Sequence, residues 1–94
     1  PRPSYLFQVA EELARLELPD KALAVYDWAI DHHPGNFHLT KKRAIFQQKQ
    51  GNKAAARAGF TESLNLLEKL REDFGEERYL ANKENLEKWL AELE

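Results

Sequence analysis

Three histidines are the residues of this chain with the clearest capacity for chemistry. His32 and His33 are adjacent in "AVYDWAIDHHPGN", residues 24 to 36, and His38 follows a Pro-Gly-Asn turn. A zinc site needs three or four ligands that converge on one point. Adjacent side chains of a helix point about 100° apart, so His32 and His33 do not converge. The spacing predicts no metal or cofactor site, and we interpret the two histidines as a helix end with partial packing.

Side chains for other chemistry also lack the pattern that catalysis requires. No hydroxyl residue has the strand–turn–helix setting that exposes a nucleophile, and no glycine-rich loop is present to bind phosphate. The adjacent carboxylates Glu11 and Glu12, and likewise Glu76 and Glu77, are expected to point apart on helices. We therefore expect this chain to be non-catalytic, although a longer parent chain could carry a catalytic domain.

Composition narrows the class of protein. The 94 residues suffice for one domain and carry a formal net charge of −2, with no cysteine. The mild acidity argues against nucleic-acid binding, and the run Lys41-Lys42-Arg43 spreads over about 200° of a helix, which predicts a solvated face. No charge-free run is long enough to span a membrane. We expect a soluble protein without nucleic-acid or membrane partners; the compartment stays open, with the cytoplasm favoured.

Prolines and glycines divide the chain into five segments of helical length, in which apolar residues recur at intervals of three and four. The predicted class is all-α, with helices at about 4–17, 20–33, 37–50, 53–73 and 76–93. Asp20 and Asn52 are the predicted N-caps of the second and fourth helices. Because the chain has no methionine and begins Pro-Arg-Pro, we expect it to be an excerpt of a longer protein.

A shift of the sequence by one period of a helix–turn–helix array, about 34 residues, aligns residues of the same size class. Small residues at these positions let two helices approach closely, and the aromatic fills the space between one helix pair and the next. The aligned pairs are Ala10 with Ala44, Ala22 with Ala56, Tyr26 with Phe60, Ala29 with Ser63 and Ile30 with Leu64.

On these residues the chain resembles a tetratricopeptide repeat (TPR). The first copy closes with Pro34, whereas the second has Glu68 at that position. The first helices match the family less well, since large family positions hold Thr40, Arg43 and Gln47 in copy two. The resemblance covers about residues 4–68. It implies antiparallel helix hairpins stacked as a short right-handed superhelix, with repeat one at 4–35, repeat two at 37–73 and a capping helix at 76–93. The apolar stripe of that cap is Tyr79, Leu86, Leu90 and Leu93.

The resemblance also implies where a partner binds. Family members hold extended peptides or partner helices in a concave groove that is lined by the first helix of each repeat. The positions used by chaperone-binding members hold Phe7, Glu11 and Lys42 here, so no chaperone carboxylate clamp is expected. By position, the groove residues of this chain are Phe7, Glu11, Ala14, Lys41, Ile45 and Gln48.

Trp28 is a separate candidate, because the same sequence shift aligns it with Glu62 and the fold therefore does not require a tryptophan there. An exposed large aromatic is a typical interface anchor. One hypothesis is that Trp28 docks on another domain or on a second copy of the chain. The alternative is that it folds onto the first hairpin or the Pro-Arg-Pro segment.

Two functional hypotheses follow. The first is a non-catalytic protein–protein interaction or scaffolding module, whose partner is a protein, a peptide or another domain of its own chain. The second is a TPR-like appendage at the C-terminus of a larger enzyme, for example a bacterial hydrolase or esterase, that serves interdomain packing or dimerisation.

Overall fold

The computed structural model describes residues 2–94, and over that range it contains six α-helices and no strand. The all-α class is therefore confirmed. Over the same residues, no helix combines the length and apolar character that crossing a membrane requires. The helices are α1 (Pro3–Arg15), α2 (Pro19–His32), α3 (Phe37–Lys49), α4 (Lys53–Lys69), α5 (Arg71–Phe74) and α6 (Glu76–Glu92).

The helix N-termini follow the predicted chemistry in one of two cases. The Asn52 side chain accepts a hydrogen bond from the Ala55 amide at 3.2 Å, which confirms the predicted cap of α4. The prediction for Asp20 is wrong, since the N-cap of α2 is Leu18 and no side chain caps the helix. Pro19 takes the first helical position, where its missing N–H would be unpaired anyway. Asp20 is left in the first turn, where the helix dipole favours an acid.

The predicted helix 53–73 is wrong in one respect, because it is interrupted at Leu70. The Leu70 amide is shared between two carbonyls of the preceding turn, at 3.0 and 3.2 Å, and its φ and ψ are −97° and 3°. The four-residue helix α5 then begins. Leu70 and Phe74 both pack on the main core, which lies between α3, α4 and α6. The Phe74 ring meets the Phe37 ring edge-on, with 5.7 Å between ring centres. Partial burial of this apolar pair explains a break that no proline or glycine marks.

The turns after α1 and α3, which the sequence shift places on each other, share one hydrogen-bond pattern. The two left-handed residues of these turns, Glu17 and Gly51, occupy the same point, with φ of 61° and 83°. The backbone therefore follows the same path in both turns. In the first turn the amides of Leu16, Glu17 and Leu18 donate to the carbonyls of Glu12, Ala14 and Leu13; in the second, those of Gln50, Gly51 and Asn52 donate to Phe46, Gln48 and Gln47.

Small residues bring paired helices into close contact. Ala10 and Ala22 are fully buried where α1 packs on α2, and Ala44 and Ala56 are fully buried where α3 packs on α4. A Cβ on Gly59 would lie only 2.8 Å from the Ala44 Cβ. Ala44 and Gly59 lie at similar distances from the intervening turn, so α3 and α4 run antiparallel.

The last helix, α6, covers α4. Tyr79, Leu86 and Leu93 of its apolar stripe are buried, and the Trp89 ring stacks on Phe60 with 5.5 Å between ring centres. The Tyr79 hydroxyl also donates a hydrogen bond to the Glu68 carboxylate of α4. The main core therefore lies between α3, α4 and α6.

Candidate functional site

A groove runs between α1 and α3 and consists of two adjoining depressions that share Phe7 and Lys42. We call it the α1–α3 groove. The first depression, of about 220 Å³, is also lined by Glu11, Ala14, Ile45 and Lys49. The second, of about 270 Å³, is also lined by Pro3, Ser4, His38 and Leu39.

Four of the six predicted groove residues line this groove together: Phe7, Glu11, Ala14 and Ile45. Lys41 and Gln48 line neither depression. The residues that follow them in the sequence, Lys42 and Lys49, line the groove instead. One residue on a helix corresponds to a rotation of about 100°. Because Ile45 belongs to both the predicted and the observed set, the face that α3 presents to α1 is rotated relative to the predicted face by less than one such step. Partner binding by these residues stays a prediction.

The groove combines an apolar floor with charged edges. The Lys42 ammonium lies over the Phe7 ring, 4.9 Å from the ring centre, which is a favourable cation–π arrangement. Tyr26 also lines the floor and is only 3% exposed. Burial, reinforced by the nearby Glu11 carboxylate, raises the pKa of Tyr26 to about 12, so its hydroxyl stays neutral at physiological pH. Such a surface suits a ligand with both apolar and charged groups.

A basic cluster comprises His38, Lys41, Lys42 and Arg78; His38 and Lys42 line the second depression of the groove, and Lys41 and Arg78 lie beside it. Partial burial, followed by the positive charges of Lys41, Arg78 and Lys42, lowers the pKa of His38. Burial and Lys42 likewise lower the pKa of Lys41. The His38 ring and the Arg78 guanidinium both lie on Phe74. The centres of the His38 and Phe74 rings are 6.2 Å apart, and the Arg78 Cζ lies 4.6 Å from the centre of the Phe74 ring.

This cluster was missed from the sequence because Arg78 comes from α6, far along the chain. The expected divergence of the run Lys41-Lys42-Arg43 does hold for Arg43, whose Nη1 donates to the Asp27 carboxylate at 2.8 Å. Lys41 and Lys42, however, do not form a fully solvated face. Both are half-buried, and the positive charges of both lower the pKa of His38. No signal in the sequence links position 78 to positions 38–42.

The adjacent histidines belong to the end of α2. The His32 ring stacks on Trp28 with 3.7 Å between ring centres, and its Nδ1 lies 2.8 Å from the Trp28 carbonyl oxygen. The His33 amide donates to the carbonyls of Ala29 and Ile30 and ends the helix. Among residues 2–94, no three His, Cys, Asp or Glu side chains are grouped to hold a metal ion.

Trp28 lies at the edge of a second surface, between the outer sides of α1 and α2. Its side chain is 42% exposed and Tyr5 is 59% exposed. Both line a shallow apolar depression of about 450 Å³ with Leu6, Val9, Ala24 and Val25, which we call the α1–α2 surface. Trp28 thus packs on His32 of its own helix and stays accessible; Pro1 of the Pro-Arg-Pro segment lies outside the described residues.

No protein-family model, no curated protein and no solved structure matches this chain. The function is therefore inferred from the geometry of the two surfaces and from the scaffold that carries them.

Proposed function

We propose that this chain is a non-catalytic protein–protein interaction module of the TPR type, which binds a partner polypeptide in the α1–α3 groove. The observation that carries the proposal is the groove itself. Apolar side chains such as Phe7 and Ile45 form its floor, and Lys42, Lys49 and Glu11 provide charge at its edges. Polypeptide partners offer this mixture of apolar and charged side chains.

The scaffold supports the same proposal. Two aligned turns with one hydrogen-bond pattern, and fully buried alanines at matching positions, support two stacked hairpins in a short right-handed superhelix. In this proposal α6 is the capping helix, which would leave polar residues outward. Such a scaffold would hold the groove rigid, so that little ordering entropy opposes binding.

The dimensions of the groove suit a short extended peptide. From His38 to Lys49, the α3 wall extends about 16 Å at 1.5 Å per residue. An extended chain spans about 3.3 Å per residue, so the groove would hold about five residues. An interface of this size gives weak affinity unless neighbouring surfaces contribute, and we expect dissociation constants on the order of micromolar or weaker.

The test is selection of peptides on the intact protein. A library of random linear peptides is selected on the immobilised chain, and enriched peptides are titrated into ¹⁵N-labelled protein to map the perturbed amides. We expect the perturbations to cluster at the groove residues of α1 and α3. Ala14→Arg should obstruct the groove and abolish binding, whereas Ala58→Arg, an equal change at an exposed position of α4, should not.

Three results would count against the proposal. They are the absence of any enriched peptide, perturbations that map to another face, and equal binding by the Ala14→Arg and Ala58→Arg variants.

A second candidate function is docking through the α1–α2 surface, as an interdomain contact of a larger enzyme or as a dimer interface. The sequence shift aligns Leu39 with Tyr5 and Arg43 with Val9. Leu39 is buried against α1 and α2, and Arg43 binds Asp27 of α2. The second hairpin thus uses Leu39 and Arg43 to contact the first hairpin. The aligned residues of the first hairpin, Tyr5 and Val9, lie on the open α1–α2 surface, which favours a further helical element packed there.

Sedimentation velocity over a range of protein concentrations tests the dimer. Self-association that Trp28→Glu abolishes would support it, since the second hairpin carries glutamate at the aligned position Glu62. A monomer at every concentration would exclude dimerisation through this surface.

A further inference from the structure

Within residues 2–94, no side chain of the basic cluster of His38, Lys41, Lys42 and Arg78 forms an ion pair with a carboxylate. Lys42 and Arg78 lie over aromatic rings, which do not neutralise their charges. Of the residues that the structure describes, the cations in ion pairs lie elsewhere: Arg15 with Glu12, Arg43 with Asp27, Arg71 with Glu76 and Lys88 with Glu84.

This arrangement is unfavourable in the free protein. Burial and like charges both oppose protonation of His38 and Lys41, as the lowered pKa values of these groups show. Neutral side chains at the four positions would avoid this repulsion and still complete a helical surface. Groups kept in an unfavourable environment are characteristic of binding sites. A carboxylate supplied by a partner would remove the repulsion and gain attraction to several cations.

The surface beside the cluster determines what else the partner must carry. The second depression continues from Lys42 and His38 over an apolar stretch that includes Pro3, Phe7 and Leu39. A ligand that fills it therefore needs an apolar side chain within a few residues of its carboxylates. An acidic peptide with one such residue meets both requirements.

Nucleic acid fits this surface less well. Single-stranded nucleic acids bind by stacking bases on exposed aromatic faces. Here Lys42 lies over Phe7 and Arg78 lies over Phe74, so cations already cover these ring faces. The net charge of −2 also disfavours a polyanion of high charge density.

We propose that the partner of the α1–α3 groove is an acidic polypeptide segment, whose carboxylates contact Lys42 and Arg78 while an apolar side chain lies on the floor beside Phe7. This inference rests on the proposed function of the groove and names the chemistry of its partner.

The test compares two sets of fluorescein-labelled hexapeptides on the full chain. Each peptide contains one Leu or Phe, and the remaining positions are Asp and Glu in the acidic set and Asn and Gln in the neutral set. We expect the acidic set to bind about tenfold more tightly in fluorescence anisotropy, and its affinity to fall as salt is raised.

Charge reversal locates the site. Lys42→Glu combined with Arg78→Glu should weaken acidic peptides by about tenfold or more. Lys53→Glu combined with Lys88→Glu changes the net charge equally at cations that belong neither to the basic cluster nor to the lining of either depression, and should leave the affinity within about twofold. Circular dichroism checks that both variants fold. If the first does not, Lys42→Gln with Arg78→Gln replaces it.

The outcomes separate this inference from the proposed function. If neutral peptides bind in the groove as tightly as acidic ones, the partner is not acidic, but the groove still binds polypeptides. If both charge-reversal variants weaken binding equally, the basic cluster is not the site. A single-stranded uridine oligonucleotide that binds more tightly than the acidic peptides would overturn the inference in favour of nucleic acid. If neither the hexapeptides nor the random library yields a groove ligand, the proposed function fails as well.

Discussion

Glu17 and Gly51 occupy the same point of the two turns that follow α1 and α3, and both have left-handed backbone, with φ of 61° and 83°. Glycine adopts this conformation without steric cost, whereas other L-residues lose about 1–2 kcal/mol. The first turn is therefore strained at Glu17 and the second is relaxed.

Glu17→Gly should stabilise the protein by about 1 kcal/mol, because it removes this strain, although glycine also adds entropy to the unfolded chain. Gly51→Glu should destabilise it by about 1–2 kcal/mol for the opposite reason. Urea unfolding curves measure both changes. If both substitutions changed the free energy of unfolding in the same direction, the assignment of one backbone conformation to both turns would be contradicted.

Gly59→Ala should lower stability even though alanine is the better helix former by about 1 kcal/mol. The added methyl group would lie 2.8 Å from the Ala44 Cβ and force α3 and α4 apart. Overpacking of this kind costs about 1–3 kcal/mol, so the net change should be a loss. Gly35→Ala is the control, since its Cβ meets nothing within 4 Å and should leave stability unchanged or slightly raised. Thermal unfolding of the two variants measures the difference, and an equal or higher stability of Gly59→Ala would contradict the prediction.

Leu86→Ala should destabilise the protein by about 2–5 kcal/mol, because Leu86 is fully buried between α6 and α4. Leu80→Ala removes the same atoms from the same helix, but Leu80 is 51% exposed, and we expect a change within about 0.5 kcal/mol. Chemical denaturation compares the pair. Similar losses at both positions would mean that α6 does not pack on α4 through this face.

The stability of the protein should decrease as the pH falls below about 6.5, partly through His38. Its pKa is lowered in the folded protein by burial and by Lys41, Arg78 and Lys42, so the unfolded chain binds more protons between the folded pKa and 6.5. The part of the free energy of unfolding that depends on neutral His38 is fully present above pH 6.5, and it is lost as the pH falls through the pKa of His38 in the folded protein. His38→Gln should flatten this dependence in urea titrations. In NMR titrations, Arg78→Gln should raise the pKa of His38; an unchanged value would place Arg78 away from it.

Local sequence signals were sufficient for most of the fold. The spacing of apolar residues and the positions of proline and glycine predicted helices close to α1, α2, α3 and α6, and Asn52 was a correct cap. The break at Leu70 was not predictable in this way. It depends on packing of Leu70 and Phe74 against the core, and no local residue type marks it.

The site was less predictable than the fold, because it depends on how the helices are rotated about their axes. Phe7, Glu11, Ala14 and Ile45 line one groove, whereas Lys41 and Gln48 line neither depression and the residues that follow them, Lys42 and Lys49, do; partner binding by these residues stays a prediction. A rotation of a helix by less than one residue step of about 100° changes which side chains face a groove without changing the periodic pattern. Arg78 comes close to His38 only in the folded protein, because both side chains pack on Phe74 of α5.

Apart from α1 with α3 and α4 with α6, the substantial contacts between helices join neighbours along the chain. Chains in which most contacts are local have few long loops to close, and they fold in microseconds to milliseconds. The first hairpin has a packed neighbour on only one side, because the α1–α2 surface stays open. We therefore expect α1 and α2 to exchange their amide hydrogens with solvent faster than α4, which lies between α3 and α6.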